Sequence, residues 1–237
     1  MKILANGSMV INLPYFNGRI ATARESIHDG DTLYGVTSGI VSIRFSGIDT
    51  PEVGYNLPTI KEDDLDEHQA KLYFEYRPIE DFIDYLTDPF DKKYFDSNNF
   101  LQALGEDVVH NHLRKVLNEQ TALNHKFHAD RAREKLIQLI EDDIGYSISS
   151  GKEFKFYIAF NHEILDRFGR FLGWIHRYED SDSKDNKNRK KRYLSYNELM
   201  LKHGYAIPYF IWPNISPFRR EYSIIQSLPG KENFRLY

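Results

Sequence analysis

Apolar and polar side chains alternate from residue 40 to 48, with Val41, Ile43 and Phe45 on one face and Ser42, Arg44 and Ser46 on the other. That period of two is what a half-buried strand imposes. Upstream, residues 20–27 and 32–37 also have strand character. Between them His28-Asp29-Gly30-Asp31 supplies turn residues, and Ser38-Gly39 a tight connection. The three segments predict an antiparallel meander. It ends at Asp49-Thr50-Pro51-Glu52, because proline has no N–H to give a ladder. Strand patterns return at residues 154–160 and 171–178. Helical spacing takes over in two longer stretches. Phe100, Leu101, Leu104, Val108, Val109, Leu113, Val116 and Leu117 follow Ser97, a residue suited to an N-cap, and Ala132, Leu136, Leu139, Ile140 and Ile144 line one side of a helix over 129–144. A short helix is predicted over 196–204, with Gly204 as its C′ residue.

Charge divides the chain unevenly. Thirty-one basic and 35 acidic residues give a net charge of −4, so any phosphate-binding surface has to be local. Between Lys61 and Asp91 eleven acids face three bases, a local charge of −8 that leaves +4 for the rest. Such a shift marks an insertion. Fourteen residues without an apolar member, Glu179 to Arg192, predict a mobile hairpin loop, whose KNRKKR run (187–192) suits backbone phosphates. The absence of cysteine excludes disulfides, thiol nucleophiles and thiolate metal sites, so a metal would need oxygen or imidazole. No run approaches the ~20 apolar residues of a membrane span, so no membrane partner is expected. The first twenty residues lack the apolar stretch of a secretory leader, which leaves a cytoplasmic protein and a processed secreted one both open.

Three clusters could carry chemistry: Asp29-Gly30-Asp31-Thr32, then Arg44 with Asp49-Thr50-Pro51-Glu52, then Asp166-Arg167-Phe168-Gly169-Arg170. An acidic turn alone is usually a solvated corner. Together the clusters supply hard oxygen ligands for a divalent cation, a carboxylate to handle water, and two guanidiniums. Phosphodiester hydrolysis asks for that set, because its pentacoordinate transition state gathers charge on equatorial oxygens that must be neutralised in advance. His110-Asn111-His112 spells the name of another nuclease motif, but positions i and i+2 diverge on a helix. His125 and His128 could pair on a transition metal, although ordinary surface histidines fit as well. Tyr205, Tyr209, Phe210 and Trp212 could stack on a base or pack in the tail.

The segments IHDGDTLYGV, IRFSGIDTPE, DRFGRFLGWI and YNELMLKHGYA, in this order, resemble the staphylococcal nuclease (thermonuclease) family. The resemblance covers residues 19–52 and 126–213. It implies an α+β fold: an OB-fold five-stranded β-barrel with packed helices, plus an inserted helical subdomain at 53–125. Residues 1–18 would be an N-terminal extension and 214–237 a C-terminal tail. Position by position it implies Asp31 and Asp49 as carboxylate ligands of Ca²⁺, joined by the main-chain carbonyl of Thr50, with Asp29 in support. Glu52 would position water or act as general base, and Arg44 and Arg170 would bind the scissile phosphate. Arg167 stands where the family often has Lys, and Phe168 where it often has Tyr; both would contact substrate, Phe168 keeping the stacking face but not the hydroxyl. The implied activity is Ca²⁺-dependent hydrolysis of DNA and RNA, single strands preferred, leaving 3′-phosphates, with either arginine replaceable at the expense of rate but not of the fold. The alternative is a catalytically inactive OB-type module that binds nucleic acid or protein. The acidic insertion 53–125 would repel phosphates and suits a lid or a protein partner.

Overall fold

The computed structural model describes residues 2–3, 9–16, 18–37, 39–60, 72–79, 81, 119–177 and 194–209. The first predicted helix-forming stretch (97–117), the HNH tripeptide, the basic loop 179–192, most of the acidic run and the tail from 210 lie outside them. The chain divides into two compact units, Met1–Thr50 with Arg131–Tyr237, and Pro51–Asp130.

In chain order the elements are β1 (Lys2–Ile3), β2 (Met9–Ile11), β3 (Tyr15–Phe16), β4 (Arg19–Ile20), α1 (Ala23–Ser26), β5 (Ile27–Asp29), β6 (Thr32–Val36), β7 (Ile40–Phe45) and β8 (Ile48–Asp49). The second unit contributes β9 (Gly54–Ile60), β10 (Leu72–Pro78) and the start of α2 (Glu119–Ser149). The chain then forms β11 (Phe156–Leu165), β12 (Phe171–Arg177), α3 (Tyr196–Lys202) and β13 (Ile207–Pro208).

The fold is mixed α and β. Seven strands of the first unit share one sheet in the order β1-β2-β11-β12-β7-β6-β5. The predicted meander is its β5-β6-β7 end, antiparallel throughout, while β12 lies parallel to β7. The sheet is not a closed barrel, and it has seven strands rather than five. Residues 1–18 are not an extension outside it. Met9, Val10 and Ile11 are all buried, and β2 pairs with β11. A single antiparallel bridge, Asn12 with Val36, joins the residue after β2 to the last residue of β6.

One buried cluster holds this unit together. Leu33, Ile43 and Phe45 from the meander meet Phe156, Ile158 and Ile175 from β11 and β12, and Leu136, Ile137 and Ile140 from α2. The i, i+4 repeat of Ala132, Leu136 and Ile140 turns one stripe of α2 to the sheet. Each fully buried Leu or Ile adds about 1.5–3 kcal/mol. α3 starts at a reciprocal Ser195–Glu198 capping box. It ends as a Schellman turn, Tyr205 N–H bonding Met200 O and Gly204 N–H bonding Leu201 O, with Gly204 at φ +73° where a side chain would be strained.

Two elements differ from the sequence reading. Residues 20–27 are not one strand, because Thr22 and Glu25 form a capping box that nucleates α1 in the middle. In the second unit, the segment following Val53 is not helical: β9 and β10 form an antiparallel ladder from Gly54↔Pro78 to Ile60↔Leu72. The Tyr, Phe and Thr content of these strands favours extended chain, and the count of acids had concealed it.

Candidate functional site

The tight β5–β6 turn carries Asp29 and Asp31 into the first unit's interior, where their side chains are buried (Asp31 0 % exposed). Register explains what they meet. Thr32 pairs with Arg44 across β6 and β7, so the residue before Thr32 lies beside the Arg44 side chain. The Arg44 guanidinium forks between two carboxylates, donating from one terminal nitrogen to Asp31 and from the other to Asp49. The second oxygen of Asp31 accepts the Thr50 N–H at 2.7 Å. Asp29 in turn accepts the Asp31 N–H at 3.2 Å, which tightens the turn. Asp29, Asp31, Arg44, Asp49 and Thr50, named from the first two motifs, thus form one polar knot.

Gly30 makes the knot possible. A Cβ there would stand 2.8 Å from the Ala132 methyl on α2 and 2.9 Å from Thr50 Cγ2. On the other side of the turn, Arg133 from α2 donates through Nε to the carbonyls of His28 at 3.0 Å and Ile27 at 3.3 Å. Sequence reasoning gave Arg133 no role, since nothing local to it points to β5.

The third motif forms its own turn in the same unit. Asp166 accepts the N–H groups of Phe168 (2.8 Å) and Arg170 (2.9 Å) on one oxygen and Arg170 Nε (2.6 Å) on the other. Burial raises the Asp166 pKa, but the backbone and side-chain bonds from Arg170 and the Phe168 N–H outweigh it, so the carboxyl sits below its ordinary value. Gly169 turns the corner at φ +80°. The Phe168 ring, 67 % exposed, has two guanidiniums against it, Arg167 at 4.7 Å and Arg170 at 5.4 Å from its centroid. The i to i+2 spacing of Asp166 and Phe168 was a readable turn signal, yet Asp166 had no assigned role.

The sheet relates the two clusters. Leu172 pairs with Arg44 across the parallel β12–β7 ladder. Arg170 lies two residues earlier, at the end of the turn that precedes β12. Glu52 belongs to the second unit, is half-buried, and accepts a bond from His125 Nε2 on its main-chain carbonyl at 3.1 Å.

The donors suit a hard cation. Asp31 and Asp49 reach one guanidinium, so their carboxylates stand within the span of a single fork. All the nearby ligand atoms are oxygen, the chemistry of Ca²⁺ or Mg²⁺. Beside them Thr50 Oγ1 is buried and has no hydrogen-bond partner among the described residues. Among the described residues no group of three acids or histidines converges at ligand spacing. No helix among them is long and apolar enough to cross a membrane. No family model matches the chain, and no curated protein matches it.

Proposed function

We propose that the chain is a Ca²⁺-dependent phosphodiesterase that cleaves DNA and RNA. The observation that carries this reading is the Arg44 fork between the buried Asp31 and the partly exposed Asp49, which joins side chains from two separate motifs. A partly open OB-type barrel belongs to this reading: the Asn12–Val36 bridge brings the residue after β2 to the end of β6, across the run β2-β11-β12-β7-β6 of the unclosed sheet.

Arg44 and Arg170 carry rigid forks that match two phosphate oxygens each. Arg44 is held by its neighbours and little exposed, so no solvent reorganisation is needed when charge develops on the phosphate. Arg170 is aimed by Asp166 in the same way. Phe168 and Arg167 offer a stacking face beside a cation, which suits a base in a single strand. Asp31, Asp49 and the Thr50 carbonyl would hold Ca²⁺, which supplies Lewis-acid polarisation of the phosphate. For Glu52 the proposal keeps the role that the family resemblance implies, orienting the attacking water or taking its proton.

The test is incubation of single-stranded DNA and of RNA with Ca²⁺ and then with excess chelator. Products ending in 3′-phosphate, lost on chelation, are expected. Full turnover in chelator would refute the metal's role, and tight DNA binding without products would favour a non-catalytic binding module.

A further inference from the structure

We infer that His125 and Tyr55 are positioning residues for Glu52, an inference that rests on the proposed role of Glu52 as the water-orienting base. All three residues lie within the second unit. The His125 ring, projecting from α2, has Nε2 3.1 Å from the Glu52 carbonyl oxygen and 2.9 Å from the Tyr55 hydroxyl. A carbonyl only accepts, so Nε2 carries the proton and shares it between the two oxygens. The Tyr55 and His125 rings lie 5.6 Å apart at 54°, so the tyrosine also fixes the tilt of the imidazole. The next carbonyl along the chain is held too, since Ile79, just beyond β10, donates its N–H to Val53 O at 2.9 Å.

Two consecutive carbonyls are therefore tied to two different elements, α2 and the end of β10. The backbone that carries the Glu52 carboxylate has its direction set. A base has to stand within hydrogen-bond reach of its water, and an error of about 1 Å in such a group can lower the rate by about 10²-fold. Neither His125 nor Tyr55 touches substrate in this account. Their effect passes through the main chain of Glu52.

Three variants test this: His125→Phe, which keeps a ring but loses the donor; His125→Gln, which returns an amide N–H; and Tyr55→Phe. With Ca²⁺ and single-stranded DNA, His125→Phe should lower kcat by about 10–100-fold. KM and the Ca²⁺ half-saturation should stay within about twofold, because neither residue is among the groups proposed to bind phosphate or cation. His125→Gln should recover much of the loss, and Tyr55→Phe should lower kcat less than His125→Phe. A second readout does not depend on activity: the ¹⁵N shifts of His125 at neutral pH should report the Nε2–H tautomer. The Nδ1–H tautomer would overturn the inference, as would a wild-type kcat for His125→Phe. A parallel loss of Ca²⁺ response, or a misfolded His125→Phe with no rescue by glutamine, would mean a merely structural histidine and also overturn it. A wild-type chain that cuts nothing in Ca²⁺ would instead remove the nuclease reading itself.

Discussion

Gly30→Ala should destabilise the protein and loosen the candidate site together. The added Cβ would lie 2.8 Å from the Ala132 Cβ, 2.9 Å from Thr50 Cγ2 and 3.0 Å from Thr50 Oγ1. Carbon atoms in comfortable contact are about 3.5–4.0 Å apart, so roughly an ångström has to be opened on two sides. Neither neighbour yields easily. The Ala132 methyl has no rotamer to swing through and sits on α2, anchored by Leu136 and Ile140 in the core. Thr50 is pinned through its N–H to Asp31 at 2.7 Å. Overpacking of this kind costs about 1–3 kcal/mol. The stiffer unfolded chain of an alanine variant returns about 0.4–1 kcal/mol, which leaves a net loss of about 1–2 kcal/mol. At about 2–4 °C per kcal/mol for a chain of this size, the melting temperature should fall by about 2–8 °C in a circular dichroism melt. Ala132→Gly opens the closer of the two contacts at a helix-propensity loss of about 1 kcal/mol. The double variant should then lose about 1 kcal/mol less than the sum of the single ones. A Gly30→Ala protein that melts with or above the wild type, or strictly additive losses, would refute the close packing of α2 and Thr50 against the turn.

Arg44→Ala should cost stability as well as rate, unlike the rate-only effect implied by family resemblance. It strips a guanidinium from the fully buried Asp31, and breaking such a pair is worth about 3 kcal/mol; an unchanged urea midpoint would count against it. Glu25 gives a pH signature. Bonds from Arg19 foremost, then from Thr22, hold its carboxyl at about 2 against an ordinary 4.5. A depressed carboxylate contributes stability that is complete above the unfolded value and is lost as pH falls through the folded one. Glu25→Gln should therefore flatten the acid limb between about 4.5 and 2, read from urea midpoints across that range, and an identical limb in both proteins would contradict the assignment.

What the sequence made legible is what chain-local physics encodes. The alternation through Val41, Ile43 and Phe45 identified β7 and its core face, since Ile43 and Phe45 are both buried. A tight turn between neighbouring antiparallel strands makes register nearly automatic, so Asp31 had to fall near Arg44. Asp49, five residues on from Arg44, could then close the knot after one further turn at Ser46-Gly47. The Asp166–Arg170 turn carried a comparable local signal, the Asp and Gly of the cluster, which the sequence reading used only as candidate chemistry. Misreadings arose where a second local signal competed. Thr22 and Glu25 read as strand residues within an apolar run until their spacing is matched to a capping box. The acids around β9 and β10 outweighed the aromatic and β-branched residues that set the backbone.

Partnerships across long stretches of chain left no local trace. β2 is buried because β11, some 150 residues later, pairs with it, and three short apolar residues state no partner of their own. Arg133 looks like a surface charge on a helix until the β5 carbonyls are found beneath it. His125 is the same case in the second unit, where its helical neighbour His128 suggested a metal pair while its own nitrogen faces Glu52 and Tyr55. In the last two cases a helix side chain donates hydrogen bonds to backbone carbonyls far away in sequence. Within the first unit Arg133 of α2 ties down the β5 carbonyls, and within the second unit His125 ties down the Glu52 carbonyl, so helix side chains hold the backbone from which the motif residues project.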